Sequence, residues 1–206
     1  MLQTSWNRCW KTIGATSDGH AVMARLIAAY NEPHRRYHTG QHLLECLTLF
    51  EEHIGLAAEP AEVELALWFH DAVYNVRAVD NEARSADWAA RELALAGVPT
   101  ARVDRVTEHI LATRHSALPQ GQDQMLLVDI DLAILGSAPP RFAEYERQIR
   151  EEYAWVPGFL FRRRRRNVLL DFQRRNPIYN IEALREALEN QARLNLDCSL
   201  RKLGVS

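Results

Sequence analysis

The 206-residue sequence predicts an all-α fold of about eight to ten helices, and three observations carry that expectation. Apolar residues recur with the 3.6-residue period of a helix in nearly every segment, and sustained strand-like alternation is missing. Helix-starting residues and helix-stopping Gly or Pro fall where that period begins and ends. No internal repeat and no Gly/Ser linker divides the chain, so one domain over residues 1–206 is expected.

Taken in order, Ser17 or Asp18 can cap a helix whose inward residues are Val22, Leu26, Ile27 and Tyr30, ending near Pro33. Leu43, Leu47, Phe50 and Ile54 form the stripe of the next, which Gly55 closes. Pro60 suits a first turn leading into Val63, Leu67 and Trp68. After a polar break over 75–80, a helix runs from about Asn81 to Ala96, stopped by Gly97 and Pro99. Thr100 is the expected cap of another, with Val103, Val106, Ile110 and Leu111 inward. Residues 118–123 (LPQGQD) are an expected loop. LLVDIDLAIL alternates at first, but the glycine and double proline after it favour a short buried helix. Phe142, Tyr145, Ile149 and Tyr153 mark a helix ending before Pro157, and another spans about Phe159–Arg174. The last carries Leu184, Leu188, Ala192 and Leu196 at spacings of four.

Composition narrows the class. At 47% hydrophobic with a net charge of −2, the chain can bury a core and is not a disordered polyelectrolyte. No run approaches the roughly 18 apolar residues of a membrane span, and the first ten residues lack the apolar segment of a secretory signal. Cys9, Cys46 and Cys198 are odd in number and widely spaced, as reduced thiols are. A soluble, cytoplasmic protein is expected. The eight histidines are unevenly placed, with His34, His38, His42 and His53 close together and His70, His109 and His115 following.

Three segments place ionisable groups in apolar surroundings. Tyr37-His38-Thr39-Gly40-Gln41-His42 carries two imidazoles four residues apart, which one helix face would bring together. His70-Asp71 follows Trp68-Phe69 at the wall of the core, and LLVDIDLAIL encloses Asp129 and Asp131. A buried carboxylate is costly unless it meets a cation or a metal. Imidazole and carboxylate together hold Zn, Mn, Fe, Co, Ni or Mg.

The order His, then His-Asp, then Asp on a helical chain resembles the HD superfamily of metal-dependent phosphohydrolases. That resemblance implies a divalent metal held by His42, His70, Asp71 and Asp131, with Asp129 as the alternative fourth ligand. Tyr37, His38 and His42 are similar in spacing to a motif of cyclic nucleotide phosphodiesterases, with Thr39 in place of Asn, which implies His38 as general acid. A bacterial group of predicted HD phosphohydrolases of about this length is similar from about Trp6 to Leu196, through RRYHTGQHL, LALWFHDAVYN, NEARSA, ATRHS, DIDLAILG, EYAWVP and ARLNL. The resemblance places the metal-site core at about 20–136 and gives about 139–200 to C-terminal helices packed on it.

Glu82, in the first turn after the His-Asp segment, is a candidate to orient water, or simply an acid favoured by the helix dipole. His115, at a helix end, is a candidate substrate or second-metal contact, and His109 is expected on the surface or in the core. His34 and His53 are expected to be solvated, and Tyr153 and Tyr179 to be buried aromatics at helix ends. The run Arg162–Arg166 points all round a helix and is expected to be a solvated face partnered by the acidic stretch Glu144–Glu152. Its alternative role is to bring one or two guanidinium groups to phosphate oxygens.

The expected activity is hydrolysis of a small phosphorylated molecule, with a nucleotide the leading class. Two alternatives share the site: a metal-bound sensing module without turnover, and a di-iron oxygenase built from the added ligands His115 and Glu82. No nucleic acid or membrane partner is expected, and a homodimer is compatible with the sequence.

Overall fold

The computed structural model describes residues 1–115 and 117–204. Among them the chain is all-α: ten α-helices and two short 3-10 segments, with no strand. In order the helices are α1 (Leu2–Thr12), α2 (His20–Tyr30), α3 (Gly40–His53), α4 (Pro60–Phe69), α5 (Asn81–Leu95), α6 (Thr100–Ala112), α7 (Gly121–Asp131), α8 (Pro139–Glu152), α9 (Gly158–Arg174) and α10 (Glu182–Lys202). The 3-10 segments are Ile54–Leu56 and Leu132–Gly136. The chain forms two compact units, Met1–Asp131 and Leu132–Ser206.

In the first unit α4 is the central element, packed by α1, α3, α5, α6 and α7. Its sequence, PAEVELALWF, is apolar on all sides except for two acids, the pattern of a helix enclosed by neighbours. Every residue from Ala61 to Phe69 is buried. The two acids therefore need cations. Glu62 accepts two hydrogen bonds from Arg105 of α6, at 2.7 and 2.6 Å. Glu64 accepts from Ser5 Oγ at 2.6 Å and from Arg8 at 3.1 and 2.6 Å, both on α1.

The sequence reading assigned no helix to α1, whose stripe consists of large aromatic and small residues. Trp6 stacks on Trp10 at 4.8 Å and meets Trp68 edge-on at 5.2 Å. Four other details differ from expectation. The α2 N-cap is Gly19, at φ 66°, where a Cβ would lie 2.5 Å from the Trp10 ring. Thr100 is the first residue of α6 and Pro99 its cap, because the helix starts one residue early. Leu111 is 36% exposed, on the margin of the α6 stripe. The last three residues of the expected loop over 118–123 already belong to α7.

His109 of α6 is buried, and among the described residues neither ring nitrogen has a hydrogen-bond partner. Burial holds its pKa below the ordinary value, against the raising influence of Asp123, Glu62 and Glu108, while Arg105 lowers it further. The folded state thus binds this proton less well than the unfolded chain. The associated stability is full above the unfolded value of about 6.5 and is lost as pH falls below it. Denaturant melts should show stability falling as pH drops below about 6.5, less steeply in His109→Leu. An equal slope in that variant would assign the loss to other groups.

In the second unit, α10 packs on α9 and on the Leu132–Gly136 segment. Tyr179 is buried and donates its hydroxyl to the Leu132 carbonyl at 3.1 Å. Asn195 donates to the carbonyls of Leu135 and Ser137 at 2.8 and 2.9 Å. Gly136 is required by proximity: a Cβ there would sit 2.7 Å from both the Cβ and the carbonyl oxygen of Leu188. Gly136→Ala should cost about 1–3 kcal/mol in urea unfolding, because backbone cannot give way as a flexible side chain can.

Candidate metal centre

α4 ends at its C-cap residue, His70, so the core helix delivers His70 and Asp71 at the point where the chain leaves the interior. His70 Nδ1 donates to the Leu67 carbonyl at 2.8 Å. With that nitrogen committed, the Nε2 lone pair faces the opposite way, into the site. His42 lies in the first turn of α3, whose cap is Thr39: its hydroxyl accepts from the Gln41 amide at 3.3 Å. Asp131 is the final residue of α7.

These side chains converge. His42 Nε2 is 3.1 Å from His70 Nε2, 3.2 Å from Asp131 Oδ1 and 3.5 Å from Asp71 Oδ2. His70 Nε2 is 3.1 Å from Asp71 Oδ2 and 3.5 Å from Asp131 Oδ1. Ligand bonds of about 2.1 Å give ligand–ligand edges of about 3.0 Å in an octahedron and 3.4 Å in a tetrahedron. Three of the five separations fall in that interval and the two at 3.5 Å lie just above it, a spacing at which these donors could share one divalent ion. Cys46, one turn along α3, adds a thiol: His42, Cys46, His70 and Asp131 each offer a ligand atom, all within 4.8 Å of one another. Its sulfur is 3.7 and 3.8 Å from the two His42 nitrogens, beside the ring rather than in line with either lone pair.

Charge supports the same fit. His42 and His70 are nearly inaccessible, and the Asp71 and Asp131 side chains are 15% and 12% exposed. Burial opposes ionisation of each carboxylate, but both are held below the usual range: Asp71 chiefly by His70 and His38, Asp131 chiefly by hydrogen bonds from His115, His42 and His70. Burial likewise opposes protonation of the imidazoles, yet Cys46 and Asp131 push His42 up to about 10, and Asp71, Tyr30 and Asp131 raise His70. The pocket thus demands positive charge. Two protonated rings would set like N–H groups against each other across 3.1 Å. A divalent cation supplies the charge with both lone pairs engaged.

The remaining candidates are distributed around this centre. Asp131 Oδ2, the oxygen turned from His42, is 3.1 Å from His115 Nε2. His115 has the left-handed φ of 54°, an uncommon conformation for a residue with a side chain. Asp129 is fully buried, and positions two apart on a helix differ by about 200°, so it does not share Asp131's direction. His38 precedes α3 instead of sharing its face with His42. It stacks on Tyr74 at 4.1 Å and lies 6.1 Å from His42, ring centre to ring centre, half-buried at the rim. Glu82 stands in the first turn of α5; among the described residues the group His42, Cys46, His70 and Asp131 includes neither Glu82 nor Asp71, although Asp71 lies 3.1 Å from His70 and Glu82 has no such contact with the group. The NEARSA segment instead holds the loop before it: the Ser85 hydroxyl accepts from the Val73 amide at 3.0 Å, and Asn81 exchanges two hydrogen bonds with the Asn75 backbone at 3.0 and 3.1 Å. His34 is exposed, as expected, and donates to the Tyr74 carbonyl at 2.8 Å.

Two residues escaped the sequence reading. Cys46 was one of three scattered thiols, although its i+4 spacing from His42 was a usable signal. Arg35 had no signal, since nothing local distinguishes it from Arg36. Its side chain is fully buried and donates to the carbonyls of His38, Asp71 and Ala72 at 3.2, 2.6 and 3.0 Å. It also reaches Glu32 at 3.0 Å and lies over the rings of Tyr30 and Tyr74. One guanidinium thereby ties the His38 turn to the Asp71 turn.

No protein-family model, curated protein or solved structure matches the chain. Among the described residues, no helix is long and apolar enough to cross a membrane.

Proposed function

We propose that the chain is a metal-dependent phosphohydrolase of the HD type, acting on a small phosphorylated molecule with a nucleotide as the leading class. The observation that carries the reading is the convergence of His42, His70, Asp71 and Asp131 to separations of 3.1–3.5 Å beside a half-buried histidine that is not itself a ligand. The quoted resemblance supplies the reaction class, and the donor set supplies the chemistry. A divalent cation held by these four residues would polarise a phosphoryl oxygen and lower the pKa of water from 15.7 towards about 7.

The other roles belong to the chain. His70 is fixed in one tautomer by Leu67, and Asp131 is held by His115 so that Oδ1 faces the imidazoles. His38, oriented by Tyr74 and with its carbonyl anchored on Arg35, protonates the departing oxygen. His115, 20% exposed, steadies the phosphate from the far side of Asp131. Glu82 serves as a first-turn acid of α5.

The test is to strip the protein with chelator and reload it separately with Mn, Mg, Co, Ni, Zn and Fe. Phosphate release is then measured over a panel of nucleotides and sugar phosphates. Turnover restored by at least one ion is the expected result. A fully loaded protein silent across the panel would replace the enzyme with a sensing module, and two ions per chain would favour the dinuclear reading. His38→Ala should lower kcat about 100- to 10,000-fold with metal content unchanged. Loss of metal in that variant would remove His38 from the acid role.

A further inference from the structure

Arg162–Arg166 is expected to be a solvated face partnered by Glu144–Glu152; four of the five are solvated, but among the described residues only the buried one is partnered. Only Arg165 turns inward: it is buried over the Tyr145 ring at 4.9 Å and pairs with Glu146. Arg162, Arg163, Arg164 and Arg166 are exposed and make no ion pair among the described residues. No Asp or Glu occurs from position 153 to position 170. The imbalance extends to the whole unit, which holds 14 Lys and Arg against 9 Asp and Glu, whereas the first unit holds 11 against 18. The overall charge of −2 conceals a unit of +5.

The patch also has an apolar end. Phe159 is 72% exposed at the start of α9, and Trp155, in the corner between α8 and α9, is 47% exposed. Phe159, Arg162, Arg163 and Arg166 stand at i, i+3, i+4 and i+7, so they form one stripe of α9. Along it the aromatic group comes first and the cations follow.

We propose that this corner docks on an anionic lipid bilayer, with Phe159 and Trp155 entering the interface and the arginine stripe engaging headgroup phosphates. Segregation along the stripe favours a bilayer over a nucleic acid. A membrane surface is layered by depth, with apolar matter beneath phosphate, and an aromatic tip ahead of guanidinium groups matches that order. A single nucleic-acid strand instead needs aromatic platforms set within a cationic groove. Arginine suits phosphate because its planar fork donates two hydrogen bonds at once, while its stem covers apolar surface. The attraction is electrostatic at first contact and weakens with salt.

The experiment is sedimentation of the full chain with vesicles of phosphatidylcholine alone or mixed with phosphatidylglycerol, at low and physiological salt. Binding to the anionic vesicles only is expected, weakening as salt rises. Each arginine contributes about fivefold to partitioning, so Arg162→Gln, Arg163→Gln and Arg166→Gln combined should weaken it about 100-fold. Phe159→Ser should weaken it about tenfold. Arg201→Gln with Lys202→Gln, at the end of α10, should leave it unchanged, and circular dichroism should show every variant helical. Failure of the wild type to bind anionic vesicles overturns the proposal, whether or not a labelled single-stranded oligonucleotide binds. Equal binding by the triple variant also overturns it, and equal binding by Phe159→Ser overturns the inserted corner. Neither metal content nor turnover enters the measurement, so its outcome is independent of the proposed activity.

Discussion

Asp131→Ala is expected to weaken divalent-metal binding by more than 100-fold and to bring phosphate release to background, with the helical content retained. Asp131 contacts three histidines: Oδ1 faces His42 and His70 at 3.2 and 3.5 Å, and Oδ2 faces His115 at 3.1 Å. Its removal leaves Asp71 as the carboxylate opposite two imidazoles and takes away the partner of His115 Nε2. Losing a mere orienting partner of a ligand costs roughly 10- to 100-fold in affinity, and losing the ligand costs more. The helices should survive because a buried carboxylate and its desolvation are removed together. Metal analysis after gel filtration, with isothermal titration of Mn or Zn, reads the effect. Near-normal stoichiometry and affinity would sink the ligand assignment.

A pH dependence accompanies this result. In the metal-free protein His42 is pushed up to about 10 and His70 is raised as well, so metal must displace protons to bind. Apparent affinity should therefore rise with pH through the neutral range, about tenfold per pH unit for each proton released. A flat profile from pH 6 to 9 would show that the imidazoles are neutral before the metal arrives.

Arg35→Met is expected to destabilise the first unit by about 3–5 kcal/mol. It should also weaken metal binding tenfold or more. The variant keeps much of the volume but withdraws the Arg35 donors from the carbonyls of His38, Asp71 and Ala72, in a place where the side chain has no exposure. Buried acceptors without donors each cost about 1–3 kcal/mol, and the contacts over Tyr30 and Tyr74 are lost as well. Metal affinity falls because the anchored backbone carries Asp71 itself. Arg35→Lys should recover little, since an ammonium cannot span three carbonyls and Glu32 with one planar fork. Urea unfolding followed by tryptophan fluorescence reports the first unit, where Trp6, Trp10 and Trp68 are buried. A change below 1 kcal/mol with unaltered metal binding would refute the clamp.

What could be read in advance followed from the range of each signal. Helix period, glycine stops and proline starts are local, and they located nine of the ten helices to within a few residues. α1 was missed because Trp6, Cys9 and Trp10 make a short stripe whose burial depends on Trp68, far along the chain. The candidate ligands were visible because ionisable residues inside apolar segments are anomalous wherever they occur. Arg35 and the inward turn of Arg165 were not visible, since an arginine among arginines carries no local mark of the one that will be buried.

The helical class and the three segments in which imidazole and carboxylate would have to find a cation are legible along the chain. Both follow from periodicity and from the cost of burying charge, properties of each segment alone. That Asp131 faces the imidazoles, that Cys46 stands beside them, and that Arg35 joins the two turns emerges from packing alone. These depend on how α3, α4 and α7 cross. Residues 28 positions apart, such as His42 and His70, meet at 3.1 Å only after the core has packed. Periodicity tells a side chain which way to face on its own helix. Packing determines what it meets there.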